Sequence, residues 1–171
     1  MFVDWCGRQW EVSELPPSAA LVVSRLASDV PGESLQACTE IASTAGISLD
    51  ELLPVVFHYD GGEPDLLDLM AGILREGTAR PWKTTVALSR ATVQQWSMIR
   101  GRLIEKGISD PLRQLPSLTA LLDVVEVMIL DSAKDDEERE KIIRDLYRRD
   151  NPMAPPPGWE EGFEGFEGID L

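Results

Sequence analysis

Three observations predict an all-α fold, a small multi-helix bundle. Between Arg80 and Leu130 lie a long amphipathic stretch, a Gly/Pro-rich joint and a second, more apolar stretch. Helix starts and stops punctuate residues 13–77 at short intervals. Strand-like pattern is confined to residues 1–12. The expected organisation is a helical domain over 1–149 and a disordered acidic Pro/Gly-rich tail over 150–171.

From the N-terminus, FVDW and WEV flank Gly7 and suggest a short β-hairpin. A lone hairpin is marginal in water, so it must lean on the helices. Trp5 and Trp10 then belong to the core. The alternative is an extended arm with both tryptophans as anchors for another subunit. Residues 18–27 give a short helix, broken at Val30-Pro31-Gly32. A second helix over about 34–44 stops at Gly46. Ser48 and Glu51 form a Ser-x-x-Glu capping box ahead of the apolar run LLPVVFHY, in which Pro54 is tolerable only within the first turn. Asp65 or Glu63 starts a fourth helix that ends at Gly77.

Pro81 suits the first turn of the next helix. Trp82, Val86, Val93, Trp96 and Leu103 recur at helical spacing and predict one stripe, stopped by Gly107. Asp110-Pro111 and Leu115-Pro116 punctuate the joint. In the following helix Leu118, Leu121, Leu122, Val125, Met128 and Ile129 share one face, with Val127 and Leu130 on the other side. The short connection predicts antiparallel packing of these two helices. Residues 134–149 read as a charged helix with a narrow apolar edge of Ile142, Ile143, Leu146 and Tyr147.

The net charge of −14 is uneven. Residues 1–74 carry 12 acidic and 2 basic side chains, residues 75–149 carry 12 and 14, and residues 150–171 carry 6 and none. Such a chain repels phosphate backbones, which argues against a nucleic-acid partner. No apolar run approaches the roughly 20 residues that cross a bilayer, so no membrane partner is expected. The first residues lack the basic start and apolar middle of a signal peptide, which predicts a cytosolic protein.

Chemistry-bearing patterns are few. His58 is the only histidine, and Cys6 and Cys38 suggest neither a disulfide framework nor a metal cluster. Phosphate-binding glycine loops and a nucleophile elbow are missing from the sequence. No catalysis, cofactor or metal is expected. Arg100 falls on the stripe of Trp82, Val93 and Trp96, where an arginine needs a carboxylate or an aromatic face to stack on; Asp123 and Glu126 are the candidate carboxylates, in a buried structural pair.

The run SDPLRQLPSLTALLDVVE (109–126), RPW at 80–82 and the W-x-x-I-R-G-x-L pattern from Trp96 to Leu103 resemble tail assembly chaperones of tailed bacteriophages that infect actinobacteria. The resemblance covers mainly residues 75–149. It implies a small helical protein of the infected host's cytoplasm, absent from the mature virion. Such a protein binds the tape-measure protein, keeps it soluble and helps load tail-tube protein. Many members have a longer frameshifted form, whose divergence would fall in 150–171. The alternative is a structural phage component, a head–tail connector or tail-completion protein. Expected partner-binding residues are Trp82, Trp96, Val127 and Leu130 on the helices, and Trp159, Phe163 and Phe166 in the tail. A homo-oligomer is compatible with the sequence.

Overall fold

The computed structural model describes residues 1–30, 32–62 and 64–147. It is mostly helical, with a two-stranded antiparallel hairpin at the N-terminus. Two compact units divide the chain, Met1–Val125 and Glu126–Leu171.

Strands β1 (Phe2–Trp5) and β2 (Arg8–Glu11) pair in the register Val3↔Trp10 and Trp5↔Arg8. Cys6 and Gly7 make the turn with φ of 50° and 70°. Two positive φ values mark a type I′ turn, whose twist matches that of the strands. Pleating puts Val3, Trp5 and Trp10 on the buried face, while Phe2 is exposed. The indole N–H of Trp5 donates to the Asp65 carbonyl at 3.0 Å, and that of Trp10 to the Trp5 carbonyl at 3.3 Å. The hairpin therefore folds back, with both tryptophans in the core.

Behind β1 lies α4 (Leu66–Thr78), started by Asp65, whose carboxylate accepts from the Leu67 N–H at 2.8 Å. A Cβ on Gly72 would sit 2.5 Å from Val3 Cγ1, so the strand touches the helix where no side chain intervenes. Gly77 does not end this helix as expected. It is inside α4, and Ala79 takes the left-handed conformation instead, with φ 53°.

Helix α1 (Ala19–Ser24), extended by a 3-10 turn at Arg25–Ala27, buries Ala19, Ala20 and Val23. It packs on α5 (Trp82–Gln94), whose buried side is built largely of small residues, among them Thr84, Thr85 and Ser89. Small residues let the two backbones approach. The buried hydroxyls of Thr85 and Thr92 are satisfied, Thr85 by Thr78 at 2.9 Å and Thr92 by the Leu88 carbonyl at 2.7 Å.

Helices α2 (Glu33–Thr44) and α6 (Trp96–Glu105) end alike. Gly46 and Gly107 carry φ of 93° and 89°. Ile47 N–H donates to Ala42 O and Ile108 N–H to Leu103 O, both at 2.9 Å. These are Schellman stops, which need a residue at ease with positive φ. Between α2 and α4, α3 (Leu49–His58) begins at Ser48, whose hydroxyl accepts from Glu51 N–H at 3.3 Å. Pro54 falls in the second turn rather than the first, so it offers no N–H to the carbonyl of Asp50, an exposed residue.

The stripe expected over 82–103 is corrected. The helix breaks at Gln95 (φ −111°, ψ 25°), so α5 and α6 each bury their own face. Val86 and Leu103 are buried as expected, but Val93 is 39% exposed and Arg100 is exposed. Helix α5 packs on α1 and on α4. The joint itself contains a one-turn helix, α7 (Pro111–Gln114), that pattern reading missed.

Helix α8 (Leu118–Asp131) starts in the first unit. Leu118 N–H donates to Leu15 O at 2.8 Å, and the Thr119 hydroxyl to Gly77 O at 2.8 Å. Leu118, Leu121, Leu122 and Val125 are buried, as the pattern predicted. The arginine paired with Asp123 is Arg80, not Arg100: its Nη2 lies 2.5 Å from Asp123 Oδ1. Arg80→Ala should lower stability by about 1 kcal/mol, since a charged hydrogen bond contributes about 1.5–3 kcal/mol and the half-exposed Asp123 calls for a discount. Arg100→Ala should change thermal melting little; equal shifts for both variants would contradict the assignment.

In the unit Glu126–Leu171, α9 (Asp136–Leu146) is capped by Asp135, which accepts from Glu138 N–H at 2.8 Å. The Tyr147 hydroxyl donates to Glu126 Oε1 at 2.5 Å. The expected tail boundary at 149/150 and the tail itself lie outside the described residues.

Candidate partner-binding surface

Helix α3 is apolar over most of its circumference, with Asp50, Glu51 and His58 on the remaining side, and so broad an apolar surface is not buried against one neighbour. In its ten residues it buries only Leu52. At 3.6 residues per turn, Leu49, Leu53 and Phe57 line up along one side. They are 45%, 45% and 75% exposed. Val55 and Val56 are half-buried.

On another side of α3, an open groove of about 510 Å³ runs toward the hairpin turn. Cys6 and Arg8 from the hairpin and Asp50, Glu51, His58 and Tyr59 from the α3 side line it, with Pro54 and Val55. The Arg8 guanidinium stands 4.1 Å above the Trp10 ring and 3.8 Å from Glu51 Oε1. The groove thus has the only histidine and two carboxylates in its lining, with His58 about two helical turns from Asp50 and Glu51. All three are exposed, so water screens them, whereas strong electrostatic catalysis needs a water-excluding site. Burial, helped by Asp68, pushes the Cys6 thiol up from its usual range. It stays protonated near neutral pH, while a nucleophilic cysteine needs the opposite shift. The Cys38 thiol is pushed up to about 11 by burial and then Asp65. Among the described residues, no group of three or more His, Cys, Asp or Glu is placed to hold a metal ion. No helix among them is long and apolar enough to cross a membrane.

The residues expected to bind a partner are scattered. Trp82 and Trp96 begin α5 and α6 and are half-buried. Val127 is 52% exposed and Leu130 half-buried, both in the unit Glu126–Leu171. Trp159, Phe163 and Phe166 lie outside the described residues. Pattern reading missed Leu49, Leu53 and Phe57, although their i, i+4, i+8 spacing was there to be found in LDELLPVVF.

Fold and surface define a class: a helical protein with an N-terminal hairpin that leaves one apolar helix face in solvent. Residues 91–167 match the model of a family of unknown function, DUF7240. No curated protein and no solved structure matches the chain.

Proposed function

We propose that this chain works by protein–protein binding in phage tail assembly, as a chaperone that holds the tape-measure protein and assists tail-tube assembly without catalysis. The observation that carries the reading is the exposed row Leu49, Leu53 and Phe57 on α3, a contiguous apolar face of the kind that marks interaction sites. The resemblance in residues 80–126 supplies the kind of partner. A net charge of −14 would keep an otherwise insoluble client and its holder in solution. The reading is tested by expressing the tape-measure protein of the same phage with and without this chain. Co-expression should raise the soluble fraction several-fold and co-purify the two. Equal solubility in both cases sinks the proposal. Purified virions provide a second test: a chaperone is missing from them, and a head–tail connector is present in a few copies.

A further inference from the structure

We infer that the Leu49–Leu53–Phe57 face of α3 docks a basic amphipathic helix, one whose apolar ridge is bordered by lysine or arginine. The inference rests on the binding-protein reading above and narrows the chemistry of its partner. Three residues at i, i+4 and i+8 present a straight ridge about two turns long, the shape that receives a partner helix by its own i, i+4 residues. Phe57, 75% exposed, is the most exposed large apolar side chain among the described residues and would be the anchor. Phenylalanine is among the aromatic residues enriched at protein interfaces.

Charge selects the partner. Only two Lys/Arg residues occur in residues 1–74, against 12 acidic ones. Both are engaged: Arg8 lies 3.8 Å from Glu51, and Arg25 lies 2.7 Å from Glu40. The carboxylates at the two ends of the ridge in sequence, Asp50 next to Leu49 and Asp60 three residues after Phe57, are exposed. A second copy of the chain would bring the same carboxylates against them. A helix edged with glutamate would do likewise. One edged with lysine or arginine would find complementary charge on arrival, which favours encounter and disfavours acidic competitors.

The test uses the full chain and two synthetic helical peptides with the same leucine ridge, one bordered by lysines and one by glutamates. Binding is followed by fluorescence anisotropy. The lysine peptide should bind, more weakly at high salt, and the glutamate peptide should bind about tenfold or more weakly. Phe57→Ala should weaken the lysine peptide about tenfold or more, while its unchanged thermal melt shows that the fold is intact. Equal binding of both peptides overturns the proposal, as does no effect of Phe57→Ala. A dimer seen by sedimentation and lost in Phe57→Ala also overturns it, since the face then belongs to a second copy. If neither peptide binds but the tape-measure protein still co-purifies, the docking inference falls and the assembly reading stands. If the lysine peptide binds and the tape-measure protein is unaffected, the reverse holds.

Discussion

Trp10→Ala should remove about 3–5 kcal/mol of folding stability, the usual cost of truncating a large buried aromatic. Trp10 is 3% exposed, lies 6.3 Å from the Trp5 ring, and donates its indole N–H to the Trp5 carbonyl. Truncation leaves a cavity beneath the buried face of the hairpin and removes a buried hydrogen bond at once. It also strips the Arg8 guanidinium of the ring it covers. Against a typical total of about 5–15 kcal/mol, this single change takes a large share. Phe2→Ala serves as control: Phe2 is in the paired strand of the same hairpin but 58% exposed, and its loss should cost below about 0.5 kcal/mol. Urea unfolding followed by circular dichroism measures both. An unshifted midpoint for Trp10→Ala means that the hairpin is not part of the cooperative core.

That hairpin shows how far the residues alone can be read. Aromatic strands around Gly7 predicted it, and the marginal stability of an isolated hairpin argued that the tryptophans turn inward. Helix boundaries were legible wherever chemistry marks them: Ser48 and Asp65 at starts, Gly46 and Gly107 at stops. Reading failed where the backbone departs from the residue's own preference. Ala79 adopts a left-handed turn that Gly77 would take more readily, and Pro54 sits inside a helix. The break at Gln95 carries no Pro or Gly to announce it. Periodicity counted through that break carried Arg100 onto a buried stripe and hid the role of Arg80, although Leu103, beyond the break, is buried as the stripe predicted. The candidate site was harder still. Periodicity shows that a helix has apolar faces, but which of them a neighbour covers depends on packing between segments far apart in sequence. The run LLPVVFHY is apolar on several sides, and tertiary packing alone decides that Leu52 is covered while Leu53 and Phe57 are not.

Gly72→Ala should destabilise the protein by about 1–3 kcal/mol, the cost of overpacking, although alanine is the better helix former. In an exposed helix the same change would gain about 1 kcal/mol. Here the added methyl would fall 2.5 Å from Val3 Cγ1, far inside van der Waals contact. Valine is branched at Cβ and has few rotamers to retreat into. Its strand is held by pairing with β2 on one side and by Trp5's hydrogen bond to Asp65 nearby, so the strand cannot simply slide away. The decisive measurement is a double-mutant cycle. Val3→Ala alone loses buried apolar surface and should also destabilise. In the Val3→Ala background the clash is gone, so Gly72→Ala should become neutral or mildly stabilising as helix propensity reasserts itself. The coupling between the two positions should then be about 1–3 kcal/mol, in the range found for residues in direct contact. Additive effects would mean that β1 does not rest on α4 at Gly72. The attachment of the hairpin to the helices would then need another explanation.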